Sequence, residues 1–183
     1  MIFSKTIRLI KTIQEKNFRQ EVLLPDDVSF LLSCIENPHS DSVYTAALIA
    51  LTESDNNVLD MLMKRFLFLQ DQAQMLAIPM LATTDYVVCY TFLLGLLKES
   101  DNLDEVAMIA MVLSSTHYLV VPIMVNELIS DDTVYCDRLG SVFKLIGFKK
   151  VAKYLILHPQ IPFESFFRNL FGNEKIDFIK QKK

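Results

Sequence analysis

Three histidines, three cysteines and two short Asp/Asn clusters are the residues of this 183-residue chain best equipped for chemistry. His39, His117 and His158 each stand alone, with no HxxxH, HExxH or His–carboxylate spacing that would set two ligands on one helix face. No metal site and no cofactor is expected from them. Asp55-Asn56-Asn57 and Asp101-Asn102-Leu103-Asp104 offer the oxygens of a Ca²⁺ loop but lack its turn glycine and its twelfth-position Glu, so helix capping is the expectation. The four glycines, at 95, 140, 147 and 172, are scattered and form no phosphate-cradling loop. Ser, Cys and His are nowhere spaced as nucleophile and base, and the expectation is a protein without enzymatic activity.

Cys34, Cys89 and Cys136 form an odd set without CxxC spacing, each inside an apolar stretch where a thiol packs as a small hydrophobe. Free thiols suit a reducing compartment. Lys5, Arg8 and Lys11 interrupt the apolar residues of the N-terminus, which therefore lacks the continuous core of a signal peptide. A cytoplasmic location is expected.

The chain is 51% apolar and 22% charged, with a mean hydropathy of +0.29, 4 Gly and 6 Pro. That excludes a disordered or Pro/Gly-rich chain and disfavours a turn-rich β-sandwich or barrel. One domain over 1–183 is expected at this length. The net charge of −4 conceals a segregation. Residues 1–20 are net +4, residues 21–139 net −14 and residues 140–183 net +6. Lys144, Lys149, Lys150 and Lys153 have the charge for phosphate, but the acidic middle and the absence of Trp give nucleic acid little support as a partner.

Two apolar stretches, 75–97 and 106–126, reach the ~20-residue length of a membrane span. Each carries a polar break at its centre, Ala82-Thr83-Thr84-Asp85 and Ser114-Ser115-Thr116-His117, where a spanning helix tolerates one least. The flanks show no consistent positive side, so two shorter buried helices are expected in each stretch.

What must position any site is a thirty-residue rhythm. Asp recurs at 41, 71, 101 and 131. Ala47, Ala77 and Ala107 follow the first three by six residues; Ala50, Met80, Ala110 and Gly140 follow all four by nine. Leu51, Leu81 and Met111 come one later, and Val58, Val88, Tyr118 and Phe148 follow by seventeen. In the fourth copy Asp137 replaces the Ala and Ser141 the Leu. An Asp at each start suits an N-cap or first turn, and each unit reads as two short helices joined by a polar turn. Turns are expected at 53–57, 82–85, 114–116 and 145–147. Such a hairpin buries its apolar face only by stacking on its neighbours.

Outside the rhythm, residues 3–16 read as a basic amphipathic helix, and Pro25-Asp26-Asp27 starts a helix to about Asn37. Pro162 opens a last helix with Phe163, Phe166, Phe167, Leu170 and Phe171 at helical spacing, closed by Gly172. Ten or eleven short helices are expected and no strand. Residues 1–37 then form an N-terminal cap, 41–160 four repeats, and 161–183 a C-terminal helix and basic tail. The tail either docks on a partner or folds back over the last hairpin.

Asp41-Ser42-Val43-Tyr44-Thr45-Ala46-Ala47 with Ala50-Leu51, and less closely Asp71-Gln72-Ala73 with Ala77 and Leu81, resemble the short, thirty-residue class of HEAT repeats. Tyr44 stands where that class has Arg. The resemblance implies an all-α fold, a right-handed α-α superhelical solenoid of stacked hairpins. It also implies a scaffold or adaptor that binds a protein or peptide, because the paired His-Glu motifs of HEAT-like hydroxylases are missing. In such folds the second helices of the hairpins line the binding face, which nominates Lys64, Arg65, Tyr90, Lys98, Tyr118, Asn126 and Glu127. The alternative is a peripheral membrane protein held by the basic N-terminal helix, with Ile2, Phe3, Ile7, Leu9, Ile10 and Ile13 against Lys5, Arg8, Lys11 and Lys16. Against it stands the expectation that this helix caps the fold by packing on the helix that begins at Pro25.

Overall fold

A computed structural model describes residues 2–36, 40–84, 86–116, 120–158 and 160–182, with side chains from residue 5 onward. Twelve α-helices and one 3-10 turn account for the secondary structure, and no strand occurs among the described residues. Among the described residues no helix is long and apolar enough to cross a membrane. The two apolar stretches are each divided between two helices, as expected from their polar centres. The chain groups into two compact units, Met1–Cys89 and Tyr90–Lys183.

In the first unit, α1 (Ile2–Phe18), α2 (Pro25–Glu36), α3 (Asp41–Thr52), α4 (Asn56–Arg65) and α5 (Asp71–Ala82) pack around α3, with the 3-10 turn Phe66–Phe68 after α4. Helix α2 begins as its sequence dictates, with Pro25 at the first position and Asp26 and Asp27 in the first turn. Asp27 also accepts from the Leu24 amide at 3.1 Å and pairs with Lys16 at 2.6 Å. Ser40 caps α3 by accepting from the Val43 amide, and Asp55 caps α4 by accepting from the Val58 amide. The turn expected over 53–57 is therefore shorter, because Asn56 and Asn57 already belong to α4. Pro79 sits inside α5, where its missing N–H leaves the Met75 carbonyl without an intrahelical donor.

Helix α1 packs chiefly on α3, not on α2 as expected. Ile10 and Ile13 are fully covered, and the Asn17 amide donates to the Ala50 carbonyl at 2.6 Å and to the Ser54 hydroxyl at 3.1 Å. Residues 16–21 end α1 in a Schellman motif: Glu21 N–H donates to the Lys16 carbonyl at 3.0 Å and Gln20 N–H to Asn17 at 2.8 Å. Gln20 holds the left-handed position, φ 58°, that glycine usually fills.

Helix α6 (Val87–Glu99) runs from the end of the first unit into the second. There it is joined by α7 (Leu103–Ser115), α8 (Val120–Glu127), α9 (Thr133–Ile146), α10 (Phe148–Leu157), α11 (Glu164–Phe171) and α12 (Asn173–Gln181). Alternate helices pack: α7 on α9, α9 on α11, α8 on α10 and α10 on α12, with α9–α10 and α11–α12 closing hairpins. The first unit shows the same habit in α1 on α3 and α3 on α5. Phe143 meets Phe167 edge to face at 5.3 Å and Phe166 at 6.0 Å, which locks α9 to α11.

Several boundaries differ from expectation. Helix α9 continues through Leu145 and Ile146 and breaks only at Gly147, φ 85°. Pro162 lies outside α11, which Phe163 precedes in a left-handed conformation, φ 52°. Beyond Gly172 the tail is helical, and Ile176 and Ile179 of α12 are buried where it packs on α11 and α10. It thus folds back over the last hairpin.

The rhythm itself is real but slips once. Asp41 and Asp71 are the first residues of α3 and α5, whereas Asp101 and Asp131 precede the caps of α7 and α9, which are Asn102 and Asp132. The four helices start at 41, 71, 103 and 133, so the middle interval is two residues longer. Counted from each start, positions 7, 8 and 11 are buried in all four. They are Ala47, Leu48 and Leu51; Ala77, Ile78 and Leu81; Ile109, Ala110 and Leu113; and Leu139, Gly140 and Phe143. Ala107 and Met111, in register by the Asp count, are exposed as a result. At Gly140 an added Cβ would lie 3.4 Å from Leu170, so the small residue marks the close approach of α9 and α11.

Candidate functional site

Of the nominated residues, Lys64 and Arg65 belong to the first unit, and Tyr90, Lys98, Asn126 and Glu127 to the second. In the first, Lys64 and Arg65 form the basic last turn of α4, where cations suit the negative helix end. Arg65 donates to Glu36 at 2.9 Å, a solvent-exposed pair worth about 0.2–1 kcal/mol. Lys64 is exposed and makes no ion pair among the described residues. The next turn adds Leu67 and Phe68, 74% and 75% exposed, while Phe66 between them and the helix is buried. An apolar pair so placed beside two cations was not nominated from sequence, although Phe66-Leu67-Phe68-Leu69 reads as uniformly apolar and only the 3-10 turn decides which faces out.

In the second unit, Lys98 and Glu127 meet at a residue the sequence did not nominate, Tyr135. Its ring is buried in the first turns of α9, and its hydroxyl donates to Glu127 at 3.3 Å. The Lys98 ammonium stands 5.5 Å from the ring centroid, within cation–π range. Burial, then the Glu127 charge and hydrogen bond, push the Tyr135 hydroxyl well above its ordinary value, so it remains a donor. Arg138, one helical turn on, donates to the carbonyls of Leu97 at 2.7 Å and Lys98 at 3.1 Å. It satisfies carbonyls at the end of α6, next to Lys98. Arg138 is the one cation between residues 99 and 143, a signal legible in the sequence. Asn126 is exposed.

Tyr90 is buried, 8% exposed, and contributes to packing instead of a surface. Tyr118, His39, His117 and Asp85 lie outside the described residues. The His158 ring lies 4.0 Å from that of Tyr154, centroid to centroid, tilted by 46°.

Open depressions mark the surface of the described residues. One of about 270 Å³ is lined by Asn17, Glu21, Glu53 and Asp55 among others. Another, about 370 Å³, is lined by Thr52, Ser54, Asn56, Leu59, Thr84 and Tyr86. A third, about 240 Å³, lies between α9 and α11 beside Cys136 and Lys144. Burial raises the thiols of Cys34 and Cys89, and burial with Asp132, Asp137 and Asp131 raises that of Cys136. All three are held as thiols, the unreactive form. No three His, Cys, Asp or Glu side chains among the described residues stand close enough to hold a metal ion. The geometry thus offers surfaces: a basic–apolar corner on α4 and a Lys–Tyr–Glu cluster on α6, α8 and α9. Compared with family models, curated proteins and solved structures, the chain matches none of them.

Proposed function

We propose that the chain is a non-enzymatic scaffold or adaptor, a right-handed solenoid of HEAT-like helical hairpins that binds a protein or peptide partner. The observation that carries this reading is the recurrence of buried positions 7, 8 and 11 in α3, α5, α7 and α9, together with the packing of alternate helices inside each unit. Hairpins built so bury one face and leave the next available, which is how repeat proteins present extended surfaces. The Lys64–Arg65 turn with Leu67 and Phe68 is a first contact point, since exposed large apolar residues rimmed by charge mark protein interfaces. The Lys98–Tyr135–Glu127 cluster with Asn126 is a second, beside the end of α6 that Arg138 satisfies. Buried free thiols at Cys34 and Cys89 suit a reducing compartment such as the cytoplasm.

The test is quantitative affinity purification of the wild type beside two variants, Lys64→Glu/Arg65→Glu/Phe68→Ala and Lys98→Glu/Asn126→Ala. A stoichiometric partner is expected with the wild type, with at least about thirtyfold weaker retention in one variant, the size of a hot-spot loss. No stoichiometric protein partner, or equal retention by both variants, overturns the reading.

A further inference from the structure

The face shared by α10 and α12 differs in charge from the acidic middle of the chain. Residues 140–183 carry nine Lys and Arg against three carboxylates. Two of the three are used internally: Glu164 pairs with Arg168 at 2.8 Å and Lys180 at 2.7 Å, and Asp177 pairs with Arg168 at 2.7 Å. Only Glu174 is left, while Lys149, Lys150, Lys153, Lys175 and Lys182 are exposed and pair with no carboxylate among the described residues.

Helix α10 turns Val151, Ala152 and Leu155 inward and leaves Lys149, Lys150, Lys153, Ile156 and Leu157 outward. Helix α12 buries Ile176 and Ile179 and spends Asp177 and Lys180 on α11. Lys175, Phe178 and Lys182 remain exposed on α12, and the Lys175 ammonium lies 5.3 Å from the ring centroid of Phe148, the first residue of α10. Leu157 is 82% and Phe178 54% exposed, and the Lys182 ammonium stands 5.3 Å from the Phe178 ring centroid.

We propose that the α10–α12 face docks on the anionic surface of a lipid bilayer. Charge complementarity sets the sign of the partner, and the interleaved apolar side chains set its kind. Acidic headgroups answer the five lysines, and the boundary beneath them takes up Leu157 and Phe178, which find no counterpart on a phosphodiester backbone.

Flotation of the full chain with vesicles of phosphatidylcholine alone, or with about 30 mol % phosphatidylserine, tests this. Binding is expected only to the anionic vesicles and weakens at high salt. Lys149→Gln/Lys150→Gln/Lys153→Gln should lower partitioning about a hundredfold, at about fivefold per lysine. Leu157→Ser/Phe178→Ser, which keeps every charge, should lower it about tenfold. The altered side chains are exposed, and unchanged helical circular dichroism verifies the fold of each variant. Lys5→Gln/Arg8→Gln/Lys11→Gln, on α1, should float as the wild type does. The proposal is overturned by absence of flotation, by equal flotation with neutral vesicles, or by a loss confined to the α1 variant. It is equally overturned if Leu157→Ser/Phe178→Ser floats unchanged while the chain binds duplex DNA or polyglutamate as tightly as vesicles.

Discussion

The side-chain amide of Asn17, at the end of α1, donates at 2.6 Å to the carbonyl of Ala50, near the end of α3. The Ser54 amide, four residues on, bonds to Leu51 instead of to that carbonyl, which accepts also from the Ser54 hydroxyl at 2.6 Å. Asn17→Ala removes the bond and one clamp between the helices. A loss of about 1–2 kcal/mol is expected in urea unfolding, with Asn17→Asp no better because the donor is gone.

Tyr44 presents the opposite case. Its hydroxyl is buried without a hydrogen-bond partner among the described residues, and burial holds it protonated. Tyr44→Phe removes the stranded group while keeping the ring, so stability should be unchanged or rise by up to about 1 kcal/mol, where an ordinary Tyr→Phe change in a core costs stability. Thermal unfolding of the two proteins decides it, and a clear loss would show that the hydroxyl is satisfied in solution.

Hydrogen bonds from Lys180 and Arg168 hold the Glu164 carboxyl below its ordinary value of 4.5. The unfolded chain therefore binds more protons than the folded one near that pH, and stability from these pairs is complete above it and lost as pH falls through the lower folded value. Amide exchange of α12 should accelerate selectively on acidification through this range. In Glu164→Gln the acid response should be much reduced.

At Gln20 the Schellman position costs a non-glycine residue about 1–2 kcal/mol of left-handed strain, partly offset by the larger entropy that glycine loses on folding. Gln20→Gly should stabilise the protein by about 0.5–1 kcal/mol in chemical denaturation. Gln20→Val, β-branched at positive φ, should destabilise it.

Helix type and number were largely legible, since Pro25-Asp26-Asp27, Asp55 and Gly147 are local signals acting on the residues beside them. What spacing could not resolve was which of two adjacent polar residues acts. Asp101-Asn102 and Asp131-Asp132 both contain the counted Asp, yet the second member caps each helix, which moves the buried face by two residues and exposes Ala107 and Met111. The partner of α1 was equally hidden, because amphipathicity states that Ile10 and Ile13 are buried but not against what. Of the nominated site, Lys98 and Glu127 come together only through Tyr135, whose apolar ring and Asp-rich surroundings gave no hint in one dimension. Tyr90 was nominated for its place on a second helix, and burial assigns it to the core.

Packing between alternate helices also bears on how the chain acquires its structure. Asn17 finds Ala50 only 33 residues on, and Arg138 finds Leu97 only 41 residues back. Contacts of such modest sequence separation close with little loop entropy, which favours rapid folding. During synthesis each helix would meet its packing neighbour once about one further hairpin had left the ribosome. An insertion lengthening the turn at Glu53 and Ser54 should slow assembly less than a substitution at Ala47 or Leu48, whose side chains join α3 to its neighbours.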